Sequence, residues 1–404
     1  MRLDQFIWID RFIGTPVCWI LSQFYAIEKR FKKDKKCEIR KLLLIKPSEM
    51  GTSVILYPVI QKAKDIFPGV KIYFLVFKEN DEILKTLNII DAQNILTIRT
   101  GSFFSFIKDT LGALIRLRKE KIDAAIDFEF FSRYTNVVSF LSGASQRAGF
   151  YRYYMEGLYR GDLMTHQIHF NDKVHVGISF MTLLLALTRS PEEMPFKEPI
   201  PMSYLNLPRL GITPEAKASI WNKLKALNAD INDSKDIVVI NPNTSQLIPF
   251  RKWPVENYIE LSKRVLANYP NAYVVIIGLP MDREYIETIH LKINNDRCLN
   301  FIGQVNIKEL IDLFQIARVL VSVDSGPAHF AALTPVYVVS IFGPETPVIF
   351  SPLTKNSICL TSGLACHPCM SVFNSRRPVC SDVVKECLKA VTVDRVYESV
   401  MKII

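Results

Sequence analysis

The sequence predicts an α/β protein made of two doubly wound domains, each with a parallel sheet. Short apolar runs alternate with stretches of helical periodicity from Lys41 onward, an order typical of β-α-β units. The apolar runs are continuous rather than alternating, as strands buried on both faces require. Five prolines between residues 190 and 208 interrupt this order, which indicates a hinge between the domains.

Length and composition narrow the class of protein. A chain of 404 residues that is 49% hydrophobic can bury the cores of two or three domains, and a charged fraction of 22% excludes a disordered chain. The net charge of +10 suits an anionic partner such as nucleic acid, a lipid surface or a phosphorylated substrate. Eight cysteines in so long a chain do not form a disulfide scaffold, and no secretory signal is evident. We therefore expect a reducing compartment.

Residues 1–38 are predicted to form a separate segment. Apolar residues recur at helical spacing, and Gly14-Thr15-Pro16 is expected to bend or restart the helix. Six cations then occupy the eight positions from Lys29 to Lys36. An amphipathic helix followed by a polybasic stretch is typical of an anchor on an anionic membrane surface. The alternative is a helix docked on the protein's own body, with a solvated linker behind it.

Residues 39–205 and 206–404 are the two predicted domains. In the first, strands are expected at Lys41–Ile45, Lys71–Phe77, 94–98 and 122–128, and residues 133–186 are expected to be helical with a loop at Arg147–Arg152. In the second, strands are expected at 237–240, 273–277, 299–302, 319–324 and 336–342.

Two strand ends in the second domain carry polar residues suited to a diphosphate. One is the turn Asp324-Ser325-Gly326-Pro327-Ala328-His329, which leads into a helix. Its small residues let backbone N–H groups approach a phosphate at the helix start. The other is the loop 241–254, which offers amide and hydroxyl donors followed by Arg251-Lys252-Trp253-Pro254. The alternatives are a plain strand-to-helix cap and a solvated cation pair before a helix-starting proline.

These two stretches carry a family resemblance. The run from Ala317 to Ala332 followed by Ile341-Phe342-Gly343-Pro344 resembles the nucleotide-sugar loop of the glycosyltransferase family 9 heptosyltransferases. The resemblance implies the GT-B fold, with an active site in the inter-domain cleft. It also implies an inverting, metal-independent transfer of a sugar, usually heptose from ADP-heptose, onto a lipopolysaccharide core sugar. By the same match, Asn243, Thr244 and Arg251 would contact the diphosphate together with residues 324–329.

The expected partners follow from the same resemblance: a nucleotide sugar, a glycolipid acceptor and an anionic membrane surface, but no nucleic acid. The expected location is cytoplasmic, peripheral on the inner face of the bacterial inner membrane.

An inverting transfer needs a base for the acceptor hydroxyl. The family has an aspartate after the glycine of its first loop, where this sequence has Thr52, which cannot act as a base. The candidates are, in order, Glu49 in the same loop, then Glu129 and Asp127 at the end of a neighbouring strand. The non-catalytic alternatives are an exposed loop carboxylate for Glu49 and a helix N-cap for Asp127. Two other functions stay open: a GT-B sugar-nucleotide epimerase, and a membrane-attached scaffold without catalysis.

Four cysteines near the C-terminus form a separate pattern. Cys366, Cys369, Cys380 and Cys387 give a C-x2-C knuckle followed by two further thiols. This spacing suits a tetrahedral zinc or single-iron site. Such a metal would be structural, because four thiolates leave no open position. The alternative is four unpaired thiols.

Overall fold

The computed structural model describes residues 3–31, 38–153, 158–244, 249–374, 378, 380 and 385–404. The chain divides into two compact units, Met1–Asn206 with Val372–Ser375, and Leu207–Ser371 with Arg376–Ile404. Most of the polybasic stretch, residues 32–36, lies outside the described residues, as do residues 245–248 of the predicted diphosphate loop.

The first unit alternates strands and helices after two N-terminal helices. Its elements are α1 (Leu3–Phe12), α2 (Gly14–Phe31), β1 (Lys41–Ile45), α3 (Met50–Ile55), α4 (Tyr57–Ile66), β2 (Lys71–Phe77), α5 (Asp81–Leu87), β3 (Ile95–Ile98), α6 (Phe103–Glu120), β4 (Ala124–Asp127), α7 (Arg133–Leu141), β5 (Gln146–Phe150), β6 (His166–Ile168) and α8 (Val176–Ala186).

The first sheet is parallel throughout, with the strand order β3-β2-β1-β4-β5-β6. Leu42, Leu43, Leu44 and Ile45 of the central strand β1 are buried, as the continuous apolar run predicts. Strand order reverses between β1 and β4. In open α/β sheets, ligands bind beyond the carboxyl ends of the strands at such a switch point.

The sequence determines where helix α6 begins and ends and which of its faces packs on the first sheet. Ser102 and Ser105 form a capping box at its start, and Lys121 ends it in the left-handed conformation. Phe106, Ala113 and Leu117 are buried on the face that joins the core of the sheet.

Helices α1 and α2 pack on α7. The Asp10 carboxylate of α1 accepts hydrogen bonds from the backbone N–H groups of Arg133, at 3.0 Å, and Tyr134, at 2.9 Å. A carboxylate there also meets the positive end of the α7 dipole. The break between α1 and α2 at residue 13 confirms the predicted restart of the helix. Among the described residues, no helix combines the length and apolar content needed to cross a membrane.

The second unit repeats the same order of elements. They are α9 (Pro214–Lys225), β7 (Asp236–Asn241), α10 (Val255–Asn268), β8 (Ala272–Ile276), α11 (Arg283–Ile293), β9 (Cys298–Asn300), α12 (Ile307–Ile316), β10 (Val319–Val323), α13 (Gly326–Ala331), β11 (Tyr337–Ile341), α14 (Pro347–Phe350), β12 (Ser357–Leu360), α15 (Glu386–Lys389) and α16 (Val393–Met401).

The second sheet is also parallel, in the order β12-β11-β10-β7-β8-β9. Read from β9, this is the strand order of the first sheet, so the switch point falls between β7 and β10. Two parallel-sheet, Rossmann-like units confirm the predicted fold class.

The structure corrects the expectation for residues 133–186, which include the strands β5 and β6 as well as helix. The pattern hides β5 because it contains Arg147 and Gly149 instead of an apolar run. The Arg147 guanidinium is buried by donating to backbone carbonyls, including that of Leu163 at 2.7 Å. Gly149 leaves room for Met164, since a Cβ there would lie 2.6 Å from the methionine methyl carbon. Strand β12 is a further strand that the sequence interpretation missed.

Candidate active site

The switch point of the second unit is held together by Asn241 at the end of β7. Its side-chain amide donates to Ser322 Oγ at 3.0 Å and to Ser325 Oγ at 2.9 Å. Ser325 is the N-cap residue of α13, but its side chain makes no capping bond to that helix. The structure therefore joins the ends of β7 and β10 and leaves the first amides of α13 without a side-chain cap from Ser325.

The turn that the sequence singled out lies where it was predicted. Asp324 follows β10, Gly326 and Pro327 begin α13, and Ala328 and His329 are buried within that short helix.

Arg251 links this turn to the end of the next strand. Its guanidinium contacts the Asp324 carboxylate at 2.8 Å, the Asp324 backbone oxygen at 3.2 Å and the Glu345 carboxylate at 3.2 Å. Glu345 follows β11 and is 1% exposed. The sequence interpretation gave Glu345 no role, although Gly343 and Pro344 directly before it belong to the family resemblance. Its pairing with a residue 94 positions away has no local signal.

One buried cation therefore serves two buried carboxylates. Burial raises the pKa of Asp324, and Arg251 opposes that rise. Burial also raises the pKa of Glu345, to about 7, with Arg251 opposing the rise and Asp324 adding to it. The carboxyl group of Glu345 thus changes charge near neutral pH, beside a guanidinium.

Several polar atoms of the loop after β7 are buried without a hydrogen-bond partner among the described residues: both amide atoms of Asn243, the Thr244 hydroxyl and Nε of Arg251. Leaving a buried polar group unpaired costs about 1–3 kcal/mol. Unpaired polar atoms at a switch point suit a ligand that supplies the missing partners.

The other members of the Arg-Lys-Trp-Pro motif turn elsewhere. The Lys252 ammonium lies 4.3 Å from the centre of the Tyr285 ring. Trp253 is buried and donates its indole N–H to the Val391 carbonyl at 2.8 Å. Of the motif, only Arg251 faces the carboxylates at the strand ends.

The switch point of the first unit also contains a buried cation between carboxylates. Lys46, directly after β1, is fully buried, and its ammonium lies 3.2 Å from the Glu49 carboxylate and 3.1 Å from that of Glu129. Glu129 accepts hydrogen bonds from the backbone N–H of Ser48 at 2.9 Å and from its hydroxyl at 2.7 Å. The first two candidate bases therefore lie side by side.

Glu49 has an unusual backbone. It occupies the left-handed region with φ 65° at the N-cap position of α3, and its side chain makes no capping bond. A non-glycine residue held there costs on the order of 1–3 kcal/mol, and such strain concentrates at functional sites. Thr52 is buried and donates its hydroxyl to the Glu49 carbonyl at 2.7 Å, so it supports the loop that presents Glu49.

Asp127, the third candidate base, is fully buried and forms an ion pair with Arg160. It also accepts hydrogen bonds from the Thr135 hydroxyl at 2.9 Å and the Glu129 backbone N–H at 3.0 Å. Burial raises its pKa and Arg160 opposes the rise. Of the three candidates, Asp127 is the least accessible to a substrate.

The four C-terminal cysteines line one small pocket of about 190 Å³, together with Pro344, His367 and Glu386. Burial is the largest cause that raises the pKa of the Cys387 thiol to about 11, and the neighbouring thiols add to it. Within the described ranges, no group of three or more His, Cys, Asp or Glu side chains has the geometry to hold a metal ion. The donor set fits a thiophilic metal in chemistry, but its atoms are not arranged as ligands.

Two Rossmann-like units in one chain, each with polar residues at its switch point, are the architecture of the GT-B fold. The sequence profile of "Glycosyltransferase family 9 (heptosyltransferase)" matches residues 196–379. The match covers most of the second unit.

Known proteins resemble the chain over most of its length. Lipooligosaccharide heptosyltransferase 2 of Haemophilus ducreyi is 24% identical over 327 residues, which are 79% of this chain and 88% of the relative. The structure of Escherichia coli ADP-heptose lps heptosyltransferase II matches with a TM-score of 0.66 and 18% identity, over 90% of this chain and 98% of that one. Escherichia coli heptosyltransferase WaaC with ADP matches with a TM-score of 0.61 and 14% identity, over 90% and 100%. At these identities the solved structures show the fold alone.

Proposed function

We propose that this glycosyltransferase moves a heptose from ADP-heptose onto a lipopolysaccharide-type glycolipid acceptor with inversion at the anomeric carbon. The observation that carries the proposal is that polar atoms of Asn243, Thr244 and Arg251, in the loop at the second switch point, have no partner among the described residues. These atoms suit the oxygens of a nucleotide diphosphate, and the family match supplies the sugar.

The diphosphate would meet three kinds of donor: the amide and hydroxyl of Asn243 and Thr244, the guanidinium of Arg251, and the first backbone N–H groups of the turn that begins at Ser325. Hydrogen bonds to charged oxygens are about twice as strong as neutral ones. They stabilise the negative charge that develops on the leaving diphosphate, so the proposed reaction needs no metal ion.

Glu49 is the proposed general base. Its carboxylate takes the proton from the acceptor hydroxyl while the acceptor oxygen forms a bond to the anomeric carbon. The bond from that carbon to the diphosphate breaks, and its electron pair leaves with ADP. Lys46 lies 3.2 Å from the Glu49 carboxylate and holds it beside the strand end. Glu129, held by Ser48 and Lys46, is the second candidate for this role.

A direct test combines the purified protein, ADP-heptose and an extracted glycolipid that lacks the acceptor heptose. We expect a product heavier by one heptose in mass spectrometry, with release of ADP in equal amount. Donor converted to an epimer, donor hydrolysed to free sugar, or donor left unbound would each contradict the proposal.

The N-terminal helices are proposed to hold the enzyme on the cytoplasmic face of the bacterial inner membrane, where a glycolipid acceptor is anchored. Trp19, Phe24 and Phe31 of α2 are 57%, 64% and 82% exposed. Aromatic side chains and nearby cations favour the interface of an anionic bilayer. The intact chain should bind vesicles that contain phosphatidylglycerol, and a chain that begins at Glu38 should bind them much less.

On the chemistry of its four thiols, and not on their arrangement in this structure, the cysteine pocket is proposed to hold a structural zinc or iron ion, with Cys366, Cys369, Cys380 and Cys387 as the ligands. Backbone N–H groups of Cys369 and Met370 donate to the Pro344 carbonyl at 3.1 and 3.0 Å, so the knuckle braces the strand end that carries Glu345. Elemental analysis of protein purified without chelator should give one metal per chain. A Cys369→Ser protein that keeps the same metal content and thermal stability would contradict this assignment.

A further inference from the structure

Helix α6 carries large apolar side chains on the face that does not touch the sheet. Phe103, Phe104, Ile107, Leu111 and Ile115 are 54%, 79%, 39%, 55% and 57% exposed. Positions 103, 107, 111 and 115 are four residues apart, so they form a stripe along one side of the helix. Together with its buried face, α6 is apolar on two sides, which is unusual for a helix in contact with water.

Helix α2 also exposes large apolar side chains. The residues that are buried on it are the small polar pair Cys18 and Ser22. Ile20, Phe24 and Ile27, on the opposite side of the helix, are 47%, 64% and 54% exposed. The outward face of α2 is therefore more apolar than the face that docks on the protein.

Contacts within the first unit place helices α6 and α2 next to the same helix, α7. On the α6 side, the Thr110 hydroxyl lies 2.9 Å from that of Tyr134. Around the axis of α6, Thr110 falls between the buried Phe106 and the exposed Ile107, so the stripe begins on the α7 side of the buried face. On the α2 side, the rings of Tyr25 and Phe140 are 5.6 Å apart.

The charges around the stripe favour an anionic partner. Lys108, Lys119 and Lys121 are exposed beside it. The acidic residues of α6 are paired with cations: Asp109 with Arg99 at 2.8 Å and Glu120 with Lys41 at 3.3 Å. A lysine close to an anionic membrane surface strengthens binding to that surface.

We infer that α6 is a second membrane-contacting helix, which forms with α1 and α2 one docking surface for an anionic lipid bilayer. The inference rests on the proposed function only in that a glycolipid acceptor requires the enzyme to work at a membrane. It adds a surface outside the N-terminal segment, in the Rossmann-like unit itself.

This position also suits catalysis. Phe103 begins α6 just after the carboxyl end of β3, and Glu49 follows the carboxyl end of β1. Carboxyl ends of parallel strands meet at one edge of the sheet. One end of the docking surface is therefore at the edge that holds the candidate base, within reach of an acceptor sugar at the bilayer surface.

A fluorescent reporter on α6 tests the inference. Trp8 and Trp19 are replaced by phenylalanine, and Leu111→Trp places an indole on the stripe; Trp221 and Trp253 are already buried. With vesicles of phosphatidylglycerol and phosphatidylethanolamine, we expect a blue shift and quenching by brominated acyl chains. Leu291→Trp, at a leucine that is 72% exposed on α11, is the matched control and should not respond. An unchanged Leu111→Trp spectrum, in a protein that still binds the vesicles, overturns the inference.

A second variant measures the contribution of α6. The double substitution Leu111→Asp with Ile115→Asp should weaken vesicle binding at least about tenfold, because two apolar groups leave the bilayer and two anions approach it. Calorimetric binding of ADP-heptose should not change. If the substitution leaves vesicle binding intact, or instead converts a dimer into a monomer, the stripe is not a membrane surface.

Transfer to a delipidated, water-soluble acceptor separates this inference from the proposed function. The double-substituted protein should perform that transfer at the parent rate. Absence of the transfer in the parent protein would refute the proposed function, whatever the vesicle measurements show.

Discussion

The two sheet edges contain the same arrangement of charged side chains, but the carboxylates of this arrangement are more exposed in the first unit than in the second. In each unit a cation at the switch point lies between two carboxylates. They are Lys46 with Glu49 and Glu129 in the first unit, and Arg251 with Asp324 and Glu345 in the second. The carboxylate side chains are 19% and 11% exposed in the first unit but only 5% and 2% exposed in the second.

This difference in exposure explains how one arrangement can do two kinds of chemistry. A carboxylate that water reaches can meet an acceptor hydroxyl and accept its proton. A sealed carboxylate favours its protonated form, and once it is protonated the neighbouring cation can turn to an anionic ligand. We therefore propose proton transfer for the first unit and diphosphate binding for the second.

The largest expected effect separates the two carboxylates of the first unit. Glu49→Gln should lower turnover by about 10²–10⁴-fold, the usual contribution of a general base, with donor affinity unchanged. Initial rates of ADP release at saturating substrates and calorimetric donor binding measure the two quantities.

The matched control is Glu129→Gln, which removes the charge next to Lys46 but keeps an oxygen that can accept the Ser48 hydrogen bonds. We expect a smaller loss of turnover from it. A larger loss from Glu129→Gln than from Glu49→Gln would exchange the two roles.

The second effect concerns the cation of the second unit. Arg251→Gln should weaken ADP-heptose binding by roughly 10–100-fold, since a hydrogen bond to a charged group contributes about 1.5–3 kcal/mol. Lys252→Gln is the control, because its ammonium faces the Tyr285 ring. Equal losses from both substitutions would mean that net charge, and not the position of Arg251, governs binding.

A third effect follows from the pKa of Glu345, which burial raises to about 7. Below that pH the carboxyl is neutral and Arg251 can serve the diphosphate, whereas above it the ionised carboxylate competes for the guanidinium. Donor affinity should therefore fall by about tenfold per pH unit above pH 7 and level off below it. The stability contributed by this group is likewise present below its ordinary pKa and lost as pH rises through about 7.

Calorimetry in buffers of different ionisation enthalpy measures the proton uptake that accompanies donor binding. The Glu345→Gln protein should bind the donor with a flat pH profile between pH 6 and 8.5. A flat profile in the parent protein would show that Glu345 does not control Arg251.

The sequence predicts features that depend on neighbouring residues better than features that depend on distant ones. The limits of β1 and β2 agree residue by residue with the expectation, because each is a continuous apolar run. The predicted turn at residues 324–329 likewise begins a helix after a buried strand.

The missed features all rest on long-range pairing. Arg147 reads as a loop residue until the carbonyls that bury it are known, and Asp127 reads as a cleft residue until Arg160 is placed against it. The role of Glu345 cannot be inferred from its neighbours in the sequence, because its partner Arg251 is 94 residues away. The strand alternation was therefore predictable, but the state of charge at each site was not.

The smallest effect tests whether the position of Asn243 matters for the second unit. A Cβ on Gly278 would lie 2.8 Å from Nδ2 of Asn243 and 2.2 Å from Cδ1 of Ile286. Gly278→Ala should therefore displace the amide and lower the free energy of unfolding by about 1–3 kcal/mol, the usual cost of overpacking. Gly211→Ala, where a Cβ has open space, is the control. If thermal unfolding shows the loss of stability while donor affinity stays at the parent value, the Asn243 amide does not bind the diphosphate, and Arg251 with the start of α13 must hold it alone.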